Sequence, residues 1–273
     1  MEGISHESLS LAGHLKLKNL ILLFDNNSIS IDGPTHLSVS DNFKKRFEGY
    51  NWNFIEINGH NYKQIFKALK KTQNSKKPTV ISCKTKIGYG SPNKAGTSFA
   101  HGSPLGKEEV QLVRKKLNWS YPPFIIPKKI INEWKEIGDK GNLLESKWKK
   151  SFKKKKSLVN KFFKTGFNSI LIKEKKKLLK NNPSIATRKS SELVINSLML
   201  KKNNLIGESA DLTGSNNTKT KSHRVINSKS FYGNYIHYGV REHAMCGVMN
   251  GLALHSNLIP YGGTFLIFSD YCK

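Results

Sequence analysis

One acid, Glu242, stands in the segment 238–245, whose other residues are apolar, small or basic. The segment leads into a run of small and apolar residues, 246–255, that is typical of a helix. A helix N-terminus stabilises a carboxylate through its dipole, so Glu242 could serve that purpose alone. A buried acid aimed at a cofactor is the alternative interpretation. The segment by itself leaves both interpretations open.

The tripeptide Asp25-Asn26-Asn27 directly follows a short apolar run, residues 19–24, that is typical of a buried strand. Ligands of parallel α/β sheets bind at the carboxyl ends of the strands. Asn27 could therefore offer its amide oxygen, and the next residues their backbone carbonyls, to a hard cation such as Mg²⁺. An Asx turn would use the same side chain for a structural purpose.

Residues 86–106 form a long glycine-rich segment that contains one histidine, His101. Loops of this kind can present backbone N–H groups to a phosphate, and His101 could add a hydrogen bond. A solvent-exposed loop histidine without a ligand is the alternative.

One further segment carries a residue suited to phosphate, and another presents polar residues on a loop. Arg188 lies near the start of an expected helix whose segment follows a proline, and an anion is readily held at such a place. Residues 207–218 follow an expected strand and present Asp211 and Ser215 on a polar loop. Either segment could equally be a solvated surface.

Three aromatic residues near the end of the sequence, Phe265, Phe268 and Tyr271, recur at helical spacing. An aromatic stripe with this spacing usually packs into a core. The alternative is a wall that stacks against a flat heteroaromatic ring.

The first 120 residues alternate between helical and strand patterns, which predicts a parallel sheet covered by helices. Residues 121–183 carry tryptophans and lysine clusters and are expected to form an exposed, helical connection. A second alternating region begins near residue 186. The expected helices are 4–16, 41–50 (with Asp41 near its cap), 62–72, 186–200 and the segment after Glu242, and the expected strands are 19–24, 53–57, 78–85, 204–207 and 258–261.

The chain has 46 lysines and arginines against 19 acids, a formal net charge of +27. Residues 127–180 alone hold 18 lysines and 5 acids, so this one stretch supplies +13. The pattern favours a solvated basic surface over nucleic-acid binding, because motifs that read DNA or RNA are missing.

Three scattered cysteines indicate a reducing compartment. Without a secretory signal or an apolar run of about 20 residues, we expect a cytoplasmic protein that does not enter a membrane.

Taken together and in this order, the motifs closely resemble the transketolase family. The resemblance is strong over residues 1–120 and 184–273 and loose in the lysine-rich connection. The matching blocks are MEGISHE, SLAGHLKL, ISIDGPT, IGYGSPNKAGT, HGSPLG, ATRKSS, SADLTGSN, IHYGVREHAM, MNGLALH and PYGGTF.

The resemblance implies transfer of a two-carbon ketol unit from a ketose phosphate, xylulose 5-phosphate, to an aldose phosphate, ribose 5-phosphate, in the pentose phosphate pathway. The implied cofactors are thiamine diphosphate and Mg²⁺ or another divalent cation. Glu242 matches the family's catalytic glutamate, which hydrogen-bonds the cofactor's aminopyrimidine and promotes its imino form. Phe265 and Phe268 match the aromatic wall against the pyrimidine ring. Glu2 falls in the family's cofactor-domain interface, where it would couple to the catalytic glutamate of the partner subunit.

The remaining implied roles concern the metal, the diphosphate and the substrate. Asn27 matches a side-chain metal ligand, and Ile29 a residue that gives the same ion its main-chain carbonyl. His101 matches a catalytic histidine that lies near both the diphosphate and the substrate. Arg188 and Ser215 match residues that bind the terminal phosphate of the sugar.

The resemblance also implies a domain plan: the C-terminal part of a diphosphate-binding domain at 1–120, an interdomain linker at 121–183, and the N-terminal part of a pyrimidine-binding domain at 184–273. The family's GDG motif, which carries a further metal ligand, and its C-terminal domain have no counterpart in these residues. We therefore expect an inactive fragment of a protein that is a homodimer when complete. One half of a split thiamine diphosphate enzyme, or a basic nucleic-acid-binding protein, are the alternatives. Glu208 departs from the small residue that the family has at this position.

Overall fold

The computed structural model describes residues 1–162, 166–200 and 204–273. These residues divide into two compact units, one of residues 12–145 and the other of residues 1–11 and 146–273. Helix α1 (Ser5–His14) contributes residues to both units. Each unit contains a three-stranded sheet in which all strands are parallel. The parallel-sheet α/β fold that the sequence predicts is therefore confirmed.

The unit of residues 12–145 is built on the strand, helix, strand alternation of its sequence. Its elements are β1 (Ile21–Asn26), β2 (Ile29–Ser30), β3 (Gly33–Pro34), α2 (Phe43–Gly49), β4 (Asn53–Asn58), α3 (Tyr62–Thr72), β5 (Thr79–Lys84), α4 (Lys107–Lys116) and the first half of α5 (Lys128–Phe162).

The sheet of this unit has the strand order β1-β5-β4. The central strand β5 is buried from Thr79 to Ser82, as expected of a parallel strand flanked on both sides. Ile57 of β4, Ile81 of β5 and Ala68 of α3 form a core cluster beneath the helices. Because the three strands run in one direction, their carboxyl ends lie at a single edge, where Asn26 is in register with Lys84 and Lys84 with Asn58.

Asp41 lies near the cap of α2, as expected, and the cap itself is the next residue. Asn42, not Asp41, accepts a hydrogen bond from the Lys45 backbone N–H at 3.0 Å. Asp41 instead forms an ion pair with Arg46. An asparagine at the N-cap satisfies one of the free N–H groups in the first turn, which leaves the neighbouring carboxylate available for the arginine.

The second unit contains the remaining elements. They are the rest of α5, α6 (Asn168–Asn181), α7 (Thr187–Met199), β6 (Leu205–Ser209), α8 (Thr213–Asn216), β7 (Tyr235–His237), α9 (Glu242–His255), β8 (Ile259–Gly263) and a final 3₁₀ helix (Leu266–Cys272).

The sheet of the second unit has the order β7-β6-β8, and every residue of its central strand β6 is buried. Gly207 in this strand has no room for a side chain, because a Cβ there would lie 2.5 Å from the Tyr261 hydroxyl and 2.8 Å from the Tyr235 ring. The glycine therefore allows two tyrosines to pack across the strand. On the same strand, Glu208 is completely buried.

Helices α5 and α6 account for most of the lysine-rich stretch, and their described side chains are largely exposed. Trp134, Leu144 and Trp148 are 71%, 68% and 60% exposed, respectively. Within the described ranges, no helix combines the length and the apolar content that crossing a bilayer requires.

Candidate functional site

Glu242 is the first residue of α9 and is 9% exposed. The turn before it is shaped by Gly239, which has a φ of +65°, a conformation in which glycine carries no Cβ penalty. The Arg241 guanidinium stabilises this turn by donating to the Tyr238 carbonyl at 2.5 Å. The Thr264 hydroxyl, directly after β8, donates to the Glu242 Oε1 at 3.4 Å. Glu242 is thus a buried carboxyl at a helix N-terminus with one long side-chain hydrogen bond.

A second carboxylate lies at the same helix start. Glu7 of α1 accepts a hydrogen bond from the Ala244 backbone N–H at 2.9 Å. The Arg241 guanidinium donates to the Ser10 hydroxyl, also on α1, at 3.1 Å. The first turn of α9 leaves backbone N–H groups without helical partners, and an anionic side chain is favoured there. Glu7 had no role predicted from the sequence, although it lies in the MEGISHE block.

Phe265 and Phe268 form an aromatic pair next to this helix. Their ring centroids are 6.2 Å apart with an interplanar angle of 20°, and Tyr271 continues the row 6.3 Å from Phe268. The 3₁₀ helix that carries Phe268 and Tyr271 packs against α9. Phe265 is 41% exposed, so one apolar face is available to a flat ring. The structure therefore places Glu242, Phe265 and Phe268 in one unit and on adjoining elements.

Behind α9 lies a further buried acid, Glu208. Burial raises the pKa of its carboxyl to about 8, and a weaker opposing effect comes from the Tyr238 hydroxyl. The two groups interact electrostatically, but neither meets hydrogen-bond geometry with any group in the described part of the chain. Burial, followed by interaction with Cys272, raises the pKa of the Cys246 thiol to about 11, and Glu208 and Glu242 add smaller contributions. The interior beneath α9 therefore disfavours negative charge.

Asn27 and Ile29 lie in the other unit, directly after β1. The Asn27 amide oxygen accepts the Ile29 backbone N–H at 3.0 Å, which makes an Asx turn, and Ser28 between them has a φ of +63°. The amide oxygen has a second lone pair, so the turn leaves it able to ligate a cation. No group of three or more His, Cys, Asp or Glu side chains that could hold a metal occurs within residues 1–162, 166–200 and 204–273. From this chain, Asn27 and Ile29 could offer a hard cation an amide oxygen and a carbonyl oxygen.

His101 follows a short 3₁₀ turn in the glycine-rich loop and is exposed. The loop itself is fixed by a residue without a predicted role, Glu109, in the first turn of α4. Its carboxylate accepts hydrogen bonds from the Ser91 hydroxyl, from the Asn93 backbone N–H at 2.9 Å and from the Asn93 amide at 2.8 Å. The Ser91 bond is the largest cause that lowers the pKa of Glu109, to about 2. The available sequence signal for Glu109 was its position three residues after Gly106, the last residue of the glycine-rich segment.

His60, at the carboxyl edge of the sheet, contacts the beginning of the same loop. Its Nε2 accepts the Lys86 backbone N–H at 3.0 Å, and its ring stacks on Tyr89 at 4.1 Å. Because Nε2 acts as the acceptor, the proton of the neutral ring is on Nδ1. A cavity of about 450 Å³ lies beside His60.

Arg188, Ser215 and Glu2 are all exposed. Arg188 is the second residue of α7, near its free N–H groups, and Ser215 lies in the one-turn helix α8. The Glu2 carboxylate lies 3.0 Å from the Met1 ammonium, while it is Glu7 that contacts α9. Glu7 contacts the start of α9 within this chain, and the expected coupling of Glu2 to a partner subunit stays a prediction.

Two domain families match the chain. One, described as "Transketolase, thiamine diphosphate binding domain", matches residues 1–166, and the other, "Transketolase, pyrimidine binding domain", matches residues 183–273. Transketolase 2 of Escherichia coli (strain K12) is 44% identical over 286 residues, an alignment that covers 100% of this chain and 43% of that protein.

Solved structures give the same result. Transketolase from Leishmania mexicana superimposes with a TM-score of 0.88 at 34% identity, covering 99% of this chain and 42% of that one. Pichia stipitis transketolase in complex with sedoheptulose-7-phosphate superimposes with a TM-score of 0.87 at 31% identity, covering 100% of this chain and 43% of that one. The chain therefore spans less than half the length of these relatives.

Proposed function

Because the chain belongs to the transketolase family, we propose that it contributes to a thiamine diphosphate site that transfers a two-carbon ketol unit from a ketose phosphate, xylulose 5-phosphate, to an aldose phosphate, ribose 5-phosphate. The reaction is a step of the pentose phosphate pathway and takes place in the cytoplasm. The chain spans 43% of the length of the Escherichia coli relative. We therefore assign the complete reaction to an assembly that also contains the parts of that relative which this chain does not match.

The observation that carries this proposal is the burial of Glu242 at the start of α9, beside the exposed face of an aromatic pair. Glu242 is 9% exposed, and in the described part of the chain its carboxyl accepts a 3.4 Å hydrogen bond from the Thr264 hydroxyl, so it retains the capacity to bind a ring nitrogen. Phe265 and Phe268 supply an apolar wall for the same ring. These residues fit the pyrimidine ring of thiamine diphosphate. When bound, this cofactor supplies the electron sink of the reaction.

Glu242 acts by holding a proton at its carboxyl oxygen and sharing it with the bound pyrimidine. Its buried position at the start of α9, within reach of the Thr264 hydroxyl, supports this role. Phe265 and Phe268 orient that ring and exclude water from one of its faces.

In the other unit, Asn27 and Ile29 would hold the divalent cation, for which we propose Mg²⁺, through an amide and a carbonyl oxygen. The cation and the loop N–H groups of residues 86–106 would bind the diphosphate. His101 would donate a hydrogen bond to the diphosphate or to a substrate oxygen. The Asx turn fixes the Asn27 amide oxygen directly after β1, and that oxygen retains one lone pair for a cation.

Arg188 and Ser215 would bind the terminal phosphate of the sugar. A guanidinium near a helix N-terminus offers several donors to a phosphate, and the exposed Ser215 hydroxyl offers another. The Pichia stipitis structure with sedoheptulose-7-phosphate supports a sugar phosphate as the ligand class. We further propose a homodimer, in which each site would combine the cofactor domain of one subunit with the pyrimidine domain of its partner.

Calorimetric titration with thiamine diphosphate and Mg²⁺ tests the proposal. We expect saturable binding that is weakened about tenfold or more by Glu242→Gln and by Asn27→Ala. His255→Gln changes an exposed residue at the far end of α9 and is the matched control. Absence of saturable binding at millimolar thiamine diphosphate, or equal binding by Glu242→Gln, would contradict it. Ketol transfer by the chain alone would show that the rest of the relatives' length is not needed.

A further inference from the structure

Glu109 is 7% exposed and directs its whole carboxylate into the glycine-rich loop. Oε1 accepts from the Ser91 hydroxyl and the Asn93 backbone N–H, and Oε2 accepts from the Asn93 side-chain amide. Ser91 is itself 2% exposed. Three donors from one short segment thus converge on one buried acid, an arrangement that fixes the segment as well as the acid.

The hydrogen bonds continue from Ser91 through the loop. The Ser91 hydroxyl oxygen accepts the Lys94 backbone N–H at 3.0 Å. The Lys94 ammonium donates to the Leu105 carbonyl at 2.8 Å, and the Lys94 carbonyl accepts from the Thr97 hydroxyl at 2.8 Å. Lys94 therefore connects the segment at Ser91 to the far side of the loop.

The two arms of the loop also contact each other next to His101. The Gly96 backbone N–H donates to the Ile87 carbonyl at 2.8 Å. A Cβ on Gly88 would lie 2.9 Å from the Ala100 Cβ, so the chain approaches Ala100 closely only because residue 88 is glycine. The His101 N–H donates to the Ser98 carbonyl at 2.9 Å. The position of His101 therefore depends on a loop whose tip is held by Glu109.

Such a loop needs an external anchor. Gly88, Gly90, Gly96 and Gly106 all have positive φ values, and glycine-rich segments lose much conformational entropy when they are ordered. The pKa of Glu109, lowered to about 2 chiefly by the Ser91 hydrogen bond, keeps the anchor ionised at physiological pH.

We propose that Glu109 is a positioning residue that holds the loop of residues 86–106, and with it His101, in the conformation that receives a diphosphate. This inference rests on the proposed function for the identity of the ligand, whereas the anchoring itself does not. Glu109 acts through the loop and has no contact with substrate in this role.

Hydrogen–deuterium exchange on the whole chain tests the anchoring. Glu109→Gln keeps the shape of the side chain but replaces one acceptor oxygen with an NH₂ group and removes the charge. We expect the amides of Asn93, Lys94 and Gly96 to exchange at least tenfold faster, with β1, β4 and β5 unchanged. Glu108→Gln removes the exposed acid next to it and should leave the loop amides unchanged. Uniform acceleration throughout residues 12–145, or no acceleration in the loop, would overturn the proposal.

Ligand binding separates this inference from the proposed function. With Mg²⁺ present, Glu109→Gln should bind thiamine diphosphate about tenfold more weakly than Glu108→Gln does. The affinity for thiamine, which lacks the diphosphate, should be the same in both variants. Equal thiamine diphosphate affinities of the two variants would overturn the positioning role. If the unsubstituted chain binds no thiamine diphosphate while the loop exchange still rises in Glu109→Gln, the proposed function fails and the anchoring stands.

Discussion

The Glu7 carboxylate accepts a hydrogen bond at 2.9 Å from the backbone N–H of Ala244, a residue 237 positions further along the chain. Ala244 lies in the first turn of the helix that begins with Glu242, so two acids share one helix start. The Glu7 carboxylate thus satisfies one of the backbone donors that the first turn of a helix leaves without a helical partner.

Removing the Glu7 carboxylate should destabilise the chain. We expect Glu7→Ala to lower the free energy of unfolding by about 1–2 kcal/mol, because the Ala244 N–H loses a charged acceptor at a helix N-terminus. Glu7→Gln retains an acceptor oxygen and should cost less than half as much. Urea denaturation of both variants measures the difference, and equal losses would show that the charge, not the hydrogen bond, matters.

Replacing Glu242 should affect catalysis far more than stability. In the complete assembly, Glu242→Gln should lower kcat for ketol transfer by about 10²–10⁴-fold, the range typical of a positioned acid–base group. The change in unfolding free energy should be within about 1 kcal/mol, the usual contribution of a carboxylate to a helix dipole. Steady-state kinetics together with urea denaturation test both parts. An unchanged rate of ketol transfer in Glu242→Gln would show that Glu242 takes no part in the mechanism.

Glu208 should make the fold less stable as the pH rises from about 4.5 to about 8. Burial raises its pKa from 4.5 to about 8, so between these values the folded state holds a proton that the unfolded state has released. Stability from the neutral carboxyl is therefore full below about pH 4.5 and is lost as pH rises towards 8, at about 1.4 kcal/mol per pH unit. Urea denaturation at pH 5.5 and 7.5 should show this loss, and Glu208→Gln should abolish it. Glu192→Gln, which changes a surface ion pair with Lys189, should retain it.

His223 should make the fold less stable as the pH falls, which is opposite to the effect of Glu208. Its Nδ1 accepts the Thr220 N–H at 2.9 Å, and its Nε2 lies 2.7 Å from the Tyr261 hydroxyl, which itself donates to the Thr218 carbonyl. Burial lowers the pKa of His223, so the folded state favours the neutral ring.

The stability that the neutral His223 ring contributes is full above the ordinary histidine pKa of about 6.5. It is lost as the pH falls below this value, because the unfolded chain then binds more protons than the folded chain. Denaturation midpoints between pH 7 and 5 should fall less steeply in His223→Gln than in the unsubstituted chain. His255→Gln, which changes an exposed histidine, should follow the unsubstituted chain. A parallel decline in all three would refute the assignment.

Local sequence patterns predicted the regular elements closely. The strand expected at 53–57 is Asn53–Asn58, the helix expected at 62–72 is Tyr62–Thr72, and the strand expected at 78–85 is Thr79–Lys84. The strand β7 was missed, because it has only three residues, Tyr235–His237, in a longer aromatic run. The helix expected from residue 246 begins four residues earlier, at Glu242, since Gly239 and Arg241 form the preceding turn.

By itself the sequence determined the alternation of strands and helices, the family to which the motifs belong, and the placement of Glu242 at a helix start. These properties depend on neighbouring residues, through periodicity and capping, and so can be recognised along the chain. The tertiary structure alone decided that Glu7 contacts α9, that Glu109 holds the glycine-rich loop, and that Glu208 is buried without a hydrogen bond in the described residues. Burial and hydrogen bonding of a side chain depend on segments that only folding brings together, and identical glutamates along a sequence give no sign of which will be enclosed.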